Sequence, residues 1–215
     1  MRNDMTLLPK LIIFGLDSVL LPPRTSLSGD VHLYQPTVEK IALLKSQGVI
    51  VTVATGRGIT RLSEVVDTLL PNTAVICEDV KLYNYQDKTL ISTECFQPEE
   101  IDQIGSIIQS GVVEFCGFCP EGDSKYIFWF SDTAQEEKIT QVLGSIIKKS
   151  TYDIDVFVDL AKKEKAAHIP MKVSQSPSMP DGLNWKYNPS LQMVDIDPSV
   201  CESGYGLRKI CEFVG

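Results

Sequence analysis

The sequence predicts an α/β fold in which a parallel sheet forms the core and an α+β segment is inserted into it. Residues 11–14 and 49–54 are apolar runs typical of buried strands, and residues 35–48 between them have a helical pattern. A strand, a helix and a second strand within about 45 residues form a βαβ unit, whose strands are parallel and whose crossover is right-handed. From residue 97 onward, helical patterns alternate with strand patterns, which favours an α+β arrangement.

Local signals justify the elements of the first half in order. Pro36 suits a first helical turn, apolar residues follow at helical spacing, and Gly48 ends the helix. The β-branched run behind this helix delivers Thr55 to a loop at the carboxyl end of a buried strand. The pattern then predicts a helix over residues 59–70, a strand over 73–78 and a hairpin over 81–92.

The second half predicts the helices and strands of the inserted segment. Residues 98–111 have an amphipathic helical pattern with an acidic first turn, and residues 125–131 have an aromatic strand pattern. Residues 134–150 favour one helix, because their acidic residues come early and their lysines late. Three strand candidates and a last helix follow, over residues 152–160, 166–174, 191–197 and 203–215.

Composition and charge exclude several classes of protein. Of 215 residues, 43% are hydrophobic and 22% charged, which is typical of a globular protein. The formal net charge of −8 and the lack of a basic run argue against nucleic acid as a partner, since lysine and arginine supply most of that affinity. No apolar run is long enough to cross a membrane or to act as a signal peptide. We therefore expect a cytoplasmic protein.

The cysteines and histidines suggest neither a disulfide framework nor a complete metal site. The six cysteines show no dense pattern, which indicates reduced thiols. Cys116 and Cys119 form a C-x-x-C pair that could be half a zinc site or a redox pair, but His32 and His168 are isolated and do not complete four ligands. We interpret the pair as buried or half-buried thiols on a loop. His168 could line a pocket, although a packed or surface histidine is favoured.

The strand ends carry the candidate binding residues. Open α/β sheets bind ligands at the carboxyl ends of their strands, where this sequence places Gly15-Leu16-Asp17-Ser18 and Thr55-Gly56-Arg57-Gly58. A threonine hydroxyl, backbone amides freed by glycine and an arginine fork are suitable donors for a phosphoryl group. A plain tight turn explains the second stretch equally well.

These stretches resemble the motifs of the haloacid dehalogenase (HAD) superfamily of phosphatases, in its Cof-type or type IIB branch. The family motif Asp-x-Asp-Gly-(Thr or Val)-Leu corresponds to residues 15–20, and its (Ser or Ala)-Thr-Gly-Arg motif corresponds to residues 54–57. The third strand and the last helix also follow the family outline. The resemblance implies a Rossmann-like core, residues 1–88 and 198–215, with an apparently incomplete parallel sheet and an α+β cap domain over residues 89–197.

The resemblance also implies a role for each site residue. The nucleophile position is Gly15 and the acid/base position is Asp17, while Thr55, Gly56, Arg57 and Ser203 occupy the phosphate-binding positions. In the family, an aspartate attacks phosphorus and forms an aspartyl phosphate. Glycine has no oxygen that can attack, and Ser203 replaces the family lysine. Mg²⁺ is the family cofactor, and here only the backbone carbonyl of Asp17 remains to hold it, so we expect weak or absent metal binding.

Three functions stay open at this point. The first is a pseudophosphatase that recognises a small phosphorylated metabolite without covalent chemistry. The second is an active Mg²⁺-dependent sugar- or small-metabolite phosphatase, present as a variant or truncated chain, and the third is a non-catalytic interaction module. The chain ends before two further family strands, so we expect the first strand to be an exposed edge that a homo-oligomer or another partner covers.

Overall fold

The computed structural model describes residues 9–16, 19–21, 33–59, 62, 69, 73–121, 123, 125–202 and 204–215. Its first sheet has five strands in the order β1-β2-β3-β4-β5. The first three strands are parallel, and the last two form the predicted antiparallel hairpin. The strands are β1 Leu11–Gly15, β2 Ile50–Thr55, β3 Ala74–Cys77, β4 Lys81–Asn84 and β5 Leu90–Ser92.

Two helices cover the two faces of this sheet. Helix α1, Gln35–Ser46, has proline in its first turn and ends before Gly48, as predicted, and its buried Ile41 packs with the face that carries Val51 and Val53. The C-terminal helix, Tyr205–Val214, buries Ile210 against the opposite face. The predicted α/β core is therefore confirmed, whereas the predicted helix over residues 59–70 lies almost wholly outside the described residues.

The second sheet has six strands in the order β10-β11-β9-β6-β7-β8, antiparallel except for β7 beside β8. Helices α2 and α4 pack against one face of it, where they bury Ile101, Ile104 and Phe157. The strands are β6 Val113–Phe118, β7 Tyr126–Phe130, β8 Ile147–Thr151, β9 Ile169–Val173, β10 Asn184–Asn188 and β11 Met193–Asp197. The helices are α2 Pro98–Gln109, α3 Thr133–Leu143 and α4 Ile154–Lys163, and the C-terminal helix is α5.

Two predictions in this half were wrong. Residues 152–160 form most of α4 rather than a strand, because the Asp153 carboxylate accepts hydrogen bonds from the amides of Asp155 and Val156 and so begins a helix. Residues 134–150 do not form one helix, because α3 ends at Leu143 and residues 147–151 pair with β7 as β8. Strand β10 was not predicted at all.

The C-x-x-C pair lies in the core rather than wholly on a loop. Cys116 is a buried residue of β6, and Cys119 is buried directly after that strand. Burial raises the pKa of the Cys116 thiol well above its usual value, which favours an inert thiol. Within the described ranges, the cysteines are free and no group of three or more His, Cys, Asp or Glu residues could hold a metal ion. No described helix is long and apolar enough to cross a membrane.

Candidate functional site

The candidate site begins at the carboxyl ends of the three parallel strands. Gly15 pairs with Ala54, and Thr55 pairs with Cys77, so the loops after these strands meet at one edge of the sheet. Of the predicted site residues, Gly15, Thr55, Gly56 and Arg57 therefore lie together. Asp17 and Ser203 lie outside the described residues.

Backbone hydrogen bonds tie the loop after β2 to the loop after β3. The Glu78 amide donates to the Arg57 carbonyl at 3.2 Å, and the Asp79 amide donates to the Thr55 carbonyl at 3.4 Å. The Arg57 amide also donates to the Thr55 hydroxyl oxygen at 3.2 Å. These bonds fix the direction of the Thr55 hydroxyl, which keeps its own proton for donation to a ligand.

Nothing in the local backbone requires glycine at position 15. Gly15 is the last residue of β1 and is not among the glycines with positive φ. A Cβ atom added there would lie 3.3 Å from Val19 Cγ2, and Val19 is 66% exposed and therefore free to move by a few tenths of an ångström. Among the described residues, therefore, neither the backbone conformation nor a neighbouring side chain requires glycine at this position.

A cavity of about 460 Å³ separates this edge from the second sheet. Its floor is the loop of residues 56–58, and its wall is the sheet face opposite α2 and α4 together with α3. The apolar part of the wall is formed by Phe115, Tyr126, Phe128, Ile139, Leu143 and Ile146. The charged side chains that line it are Arg57, Glu114, Lys138, His168, Lys172 and Asp195.

His168 is the most buried charged group of this cavity, with 3% of its side chain exposed. Its Nδ1 lies 2.8 Å from Asp197 Oδ1, and its Nε2 lies 3.7 Å from Asp195 Oδ1. Burial alone lowers the pKa of His168, but the hydrogen bond to Asp197 and the charges of Asp197, Asp195 and Glu78 outweigh burial and raise the pKa to about 9. His168 is therefore an imidazolium at neutral pH.

The sequence contains a signal for this arrangement, which is the spacing of two aspartates on one strand. His168 is packed, as favoured, but it also lines the cavity. Asp195 and Asp197 are two residues apart on β11, so both point to the same face of the sheet. Strand β9 pairs with β11, and this pairing brings His168, the residue before β9, beside both carboxylates.

A buried ion pair joins the two sheets next to the cavity. Lys81 Nζ lies 2.7 Å from Glu78 Oε2, and it donates to the Cys119 carbonyl of the second half at 3.1 Å. The Tyr126 hydroxyl of β7 donates to Glu78 Oε1. Gly58 makes room for this contact, because a Cβ there would lie 3.0 Å from both the Glu78 carboxylate and the Tyr126 hydroxyl.

Comparison with known proteins decides the family. A family model described as haloacid dehalogenase-like hydrolase matches residues 12–198. The chain belongs to this family. No curated protein sequence matches the chain. The recognition of a HAD phosphatase-like protein from its motifs is therefore confirmed at the level of the family.

Several solved structures, two of them of HAD phosphatases, share the fold over 95–100% of the chain. A sugar phosphatase of HAD subclass IIB is 17% identical with a TM-score of 0.71, and the match covers 96% of this chain and 76% of that one. A HAD phosphatase from Bacteroides thetaiotaomicron is 13% identical with a TM-score of 0.71, over 100% and 76%. A Thermotoga maritima protein is 15% identical with a TM-score of 0.64, over 95% and 75%. These likenesses confirm the predicted Rossmann-like core with a type IIB cap as a fold.

HAD proteins generally use Mg²⁺, which prefers an octahedral set of oxygen ligands that usually includes protein carboxylates. Position 15 of this HAD protein offers no side-chain oxygen. As far as the structure describes the chain, no other cluster of three acidic, histidine or cysteine residues takes its place. The described residues alone therefore do not make up a magnesium site, and Asp17, the remaining candidate ligand, lies outside them.

Proposed function

We propose that this HAD protein is a pseudophosphatase, which binds a small phosphorylated molecule and does not hydrolyse it by the covalent route of its family. The observation that carries the proposal is Gly15 at the carboxyl end of β1, the position of the family's nucleophilic aspartate. A glycine cannot attack phosphorus, so no aspartyl phosphate can form there. The missing carboxylate also removes a magnesium ligand, which supports weak or absent Mg²⁺ binding.

The proposed phosphate site uses the groups that remain at this edge. The Thr55 hydroxyl, oriented by the Arg57 amide, the Gly56 amide and the Arg57 side chain suit phosphate oxygens. By resemblance, Ser203 completes the site and Asp17 stands at the acid/base position, with its backbone carbonyl as the remaining magnesium ligand. The loop that carries Gly56 and Arg57 opens into the cavity, which supports a ligand larger than free phosphate.

Two measurements on the purified chain test this proposal. Calorimetry with inorganic phosphate is expected to show binding, and Thr55→Val is expected to weaken it by about tenfold through the lost hydrogen bond. Hydrolysis of p-nitrophenyl phosphate with Mg²⁺ is expected to stay at background. Magnesium-dependent turnover that Asp17→Ala abolishes would overturn the proposal, and so would a chain that binds no phosphate.

One observation favours an active Mg²⁺-dependent sugar- or small-metabolite phosphatase as the second candidate. The backbone at Gly15 accepts a side chain, so the scaffold can hold an aspartate where the family has one. Under this hypothesis, Gly15→Asp restores magnesium-dependent hydrolysis of p-nitrophenyl phosphate. If Gly15→Asp folds, binds phosphate and stays inactive, other lost groups also prevent the reaction and the pseudophosphatase is favoured.

A further inference from the structure

The second nitrogen of His168 is open to the cavity, because the residue lines the cavity and its first nitrogen is turned to Asp197. Its first nitrogen, Nδ1, is bound to Asp197 at 2.8 Å. The distance of 3.7 Å from Nε2 to Asp195 Oδ1 is too long for a hydrogen bond. In the part of the chain that the structure describes, no acceptor lies within hydrogen-bond distance of Nε2. Nε2 is accessible from the cavity rather than sealed in the core, so a ligand atom can reach it there.

The groups around His168 keep Nε2 a donor. Asp197, Asp195 and Glu78 are the carboxylates whose charges act on the ring. The nearby cations are engaged elsewhere: Lys186 Nζ lies 3.3 Å from Asp79 Oδ2, and Lys172 Nζ donates to the Leu191 carbonyl at 2.8 Å. An imidazolium donates from both nitrogens, so Nε2 offers a proton and Asp195 offers an acceptor to the same point of the cavity.

Charged ligand groups match this pair poorly. A phosphate or carboxylate oxygen would accept from Nε2 but would be repelled by Asp195, and an ammonium would be repelled by the imidazolium. A hydroxyl group is neutral and both accepts and donates. We propose that His168 and Asp195 bind one hydroxyl group of the ligand, which accepts from Nε2 and donates to the Asp195 carboxylate.

The rest of the cavity places this hydroxyl site relative to the phosphate site. Both the loop of residues 56–58 and His168 line the same cavity, whose volume of about 460 Å³ is within the usual range for small-molecule sites. Phe115 and Phe128 lie on the wall and offer apolar contact to a carbon skeleton. The ligand is thus a phosphomonoester with a hydroxyl group remote from its phosphate. This ligand class rests on the proposed function, whereas the hydroxyl site itself does not.

Calorimetry with three probes tests the hydroxyl site. Ribitol 5-phosphate carries a hydroxyl on every free carbon, pentyl phosphate has the same chain length without them, and inorganic phosphate has neither. We expect the native chain to bind ribitol 5-phosphate at least about tenfold more tightly than inorganic phosphate. Asp195→Ala removes the acceptor and is expected to abolish that advantage, with the affinities for the other two probes changed by less than about twofold.

A control variant and a second readout keep the outcomes distinct. Asp159 is exposed on α4, behind the opposite face of the sheet, so Asp159→Ala is expected to leave all three affinities unchanged. The Nε2 nitrogen resonance of His168 is expected to shift with ribitol 5-phosphate and with free ribitol at high concentration, but not with inorganic phosphate. In the native chain, this resonance also reports on the site if Asp195→Ala does not fold.

The two proposals fail in different ways. If ribitol 5-phosphate binds no more tightly than inorganic phosphate, or if Asp195→Ala binds it as well as the native chain does, the hydroxyl site is overturned and the phosphate site stands. If none of the phosphate probes binds, the proposed function is overturned. Free ribitol then decides the hydroxyl site alone: a shift of the His168 resonance that Asp195→Ala removes supports it, and no shift overturns it.

Discussion

Lys81 and Glu78 form an ion pair with 2.7 Å between Nζ and Oε2, and their side chains are only 1% and 3% exposed. Both residues belong to the first sheet and its loops, but the other hydrogen bonds of their side chains reach Cys119 and Tyr126 of the second half. A buried ion pair gains little net stability, because desolvation offsets its attraction, yet each charge is costly to leave alone. The pair therefore specifies how the two sheets contact each other more than it stabilises either one.

Removal of one partner of this pair is expected to be strongly destabilising. Lys81→Met leaves the Glu78 carboxylate buried without its cation, which costs roughly 3–5 kcal/mol of unfolding free energy. The measurement is urea unfolding at neutral pH. Lys165→Met is the matched control, because Lys165 pairs with Glu121 at 3.1 Å but is 65% exposed, and such surface pairs contribute little to stability. Equal losses in the two variants would contradict this account of the pair.

The pKa of His168 predicts a pH dependence of stability. The native pKa is about 9, above the usual 6.5. A raised pKa stabilises the fold fully below about pH 6.5, and this contribution is lost as pH rises through 9. The shift corresponds to about 3 kcal/mol. We expect the free energy of unfolding to fall between pH 6.5 and 9.5.

The comparison with His168→Gln isolates this effect. Buried thiols such as that of Cys116 also have a raised pKa, so they too lower the free energy of unfolding at the alkaline end of this range. The pH dependence of the native protein alone therefore does not assign the effect to His168. The difference between the two proteins in urea unfolding at pH 6.5 and 9.5 removes the thiol contribution. A difference that stays constant with pH would show that His168 does not titrate as expected.

The elements of the core could be predicted because each of them is specified by residues within its own stretch of sequence. Helix α1 has its proline and its terminal glycine within one stretch, and β1 and β2 are apolar runs, so each element is specified by its own residues. The strand prediction for residues 152–160 was wrong because it used the same kind of local pattern. Acidic and apolar residues alternate there as in a strand, but the Asp153 cap and the packing of Phe157 stabilise a helix. The pairing of β8 with β7 is a tertiary contact that no local pattern contains.

Some residues of the candidate site could likewise be predicted from local sequence, whereas others depend on tertiary contacts. Gly15, Thr55 and Arg57 could be predicted because they follow strands whose ends meet at one edge. The contact of His168 with Asp197 joins residues 29 positions apart and depends on the pairing of β9 with β11. The Glu78–Lys81 pair was not predicted. Two charged residues three positions apart are usually exposed, and the sequence does not reveal that a second sheet buries these two.

Gly206 is expected to be essential for the packing of α5. A Cβ atom there would lie 2.9 Å from Ile76 Cγ2 and 3.0 Å from the Asp79 carbonyl oxygen, both of which are fixed by β3 and its loop. Gly206→Ala is therefore expected to cost about 1–3 kcal/mol through overpacking. Gly144→Ala is the control, because its nearest neighbour would be Thr140 Cγ2 at an ordinary 3.4 Å. Thermal unfolding checks both, and equal melting temperatures would exclude the clash.

The last prediction concerns Gly15→Asp and separates the fold from the chemistry. Gly15 has no positive φ, and among the described residues only the exposed Val19 would lie within 4 Å of a Cβ atom there, so the variant is expected to change the unfolding free energy by less than about 1 kcal/mol without Mg²⁺. The new carboxylate supplies a hard oxygen ligand at position 15, where the native chain has no side chain. Millimolar Mg²⁺ is then expected to raise the melting temperature of the variant and to leave that of the native chain unchanged, because a ligand that binds only the folded state stabilises it.

Gly117→Ala tests the opposite case, since its Cβ would lie 2.6 Å from the Phe128 ring and a large loss of stability is expected. If Gly15→Asp unfolds like Gly117→Ala, glycine is a requirement of the fold after all. If it folds but gains nothing from Mg²⁺, the carboxylate at position 15 is not the missing ligand.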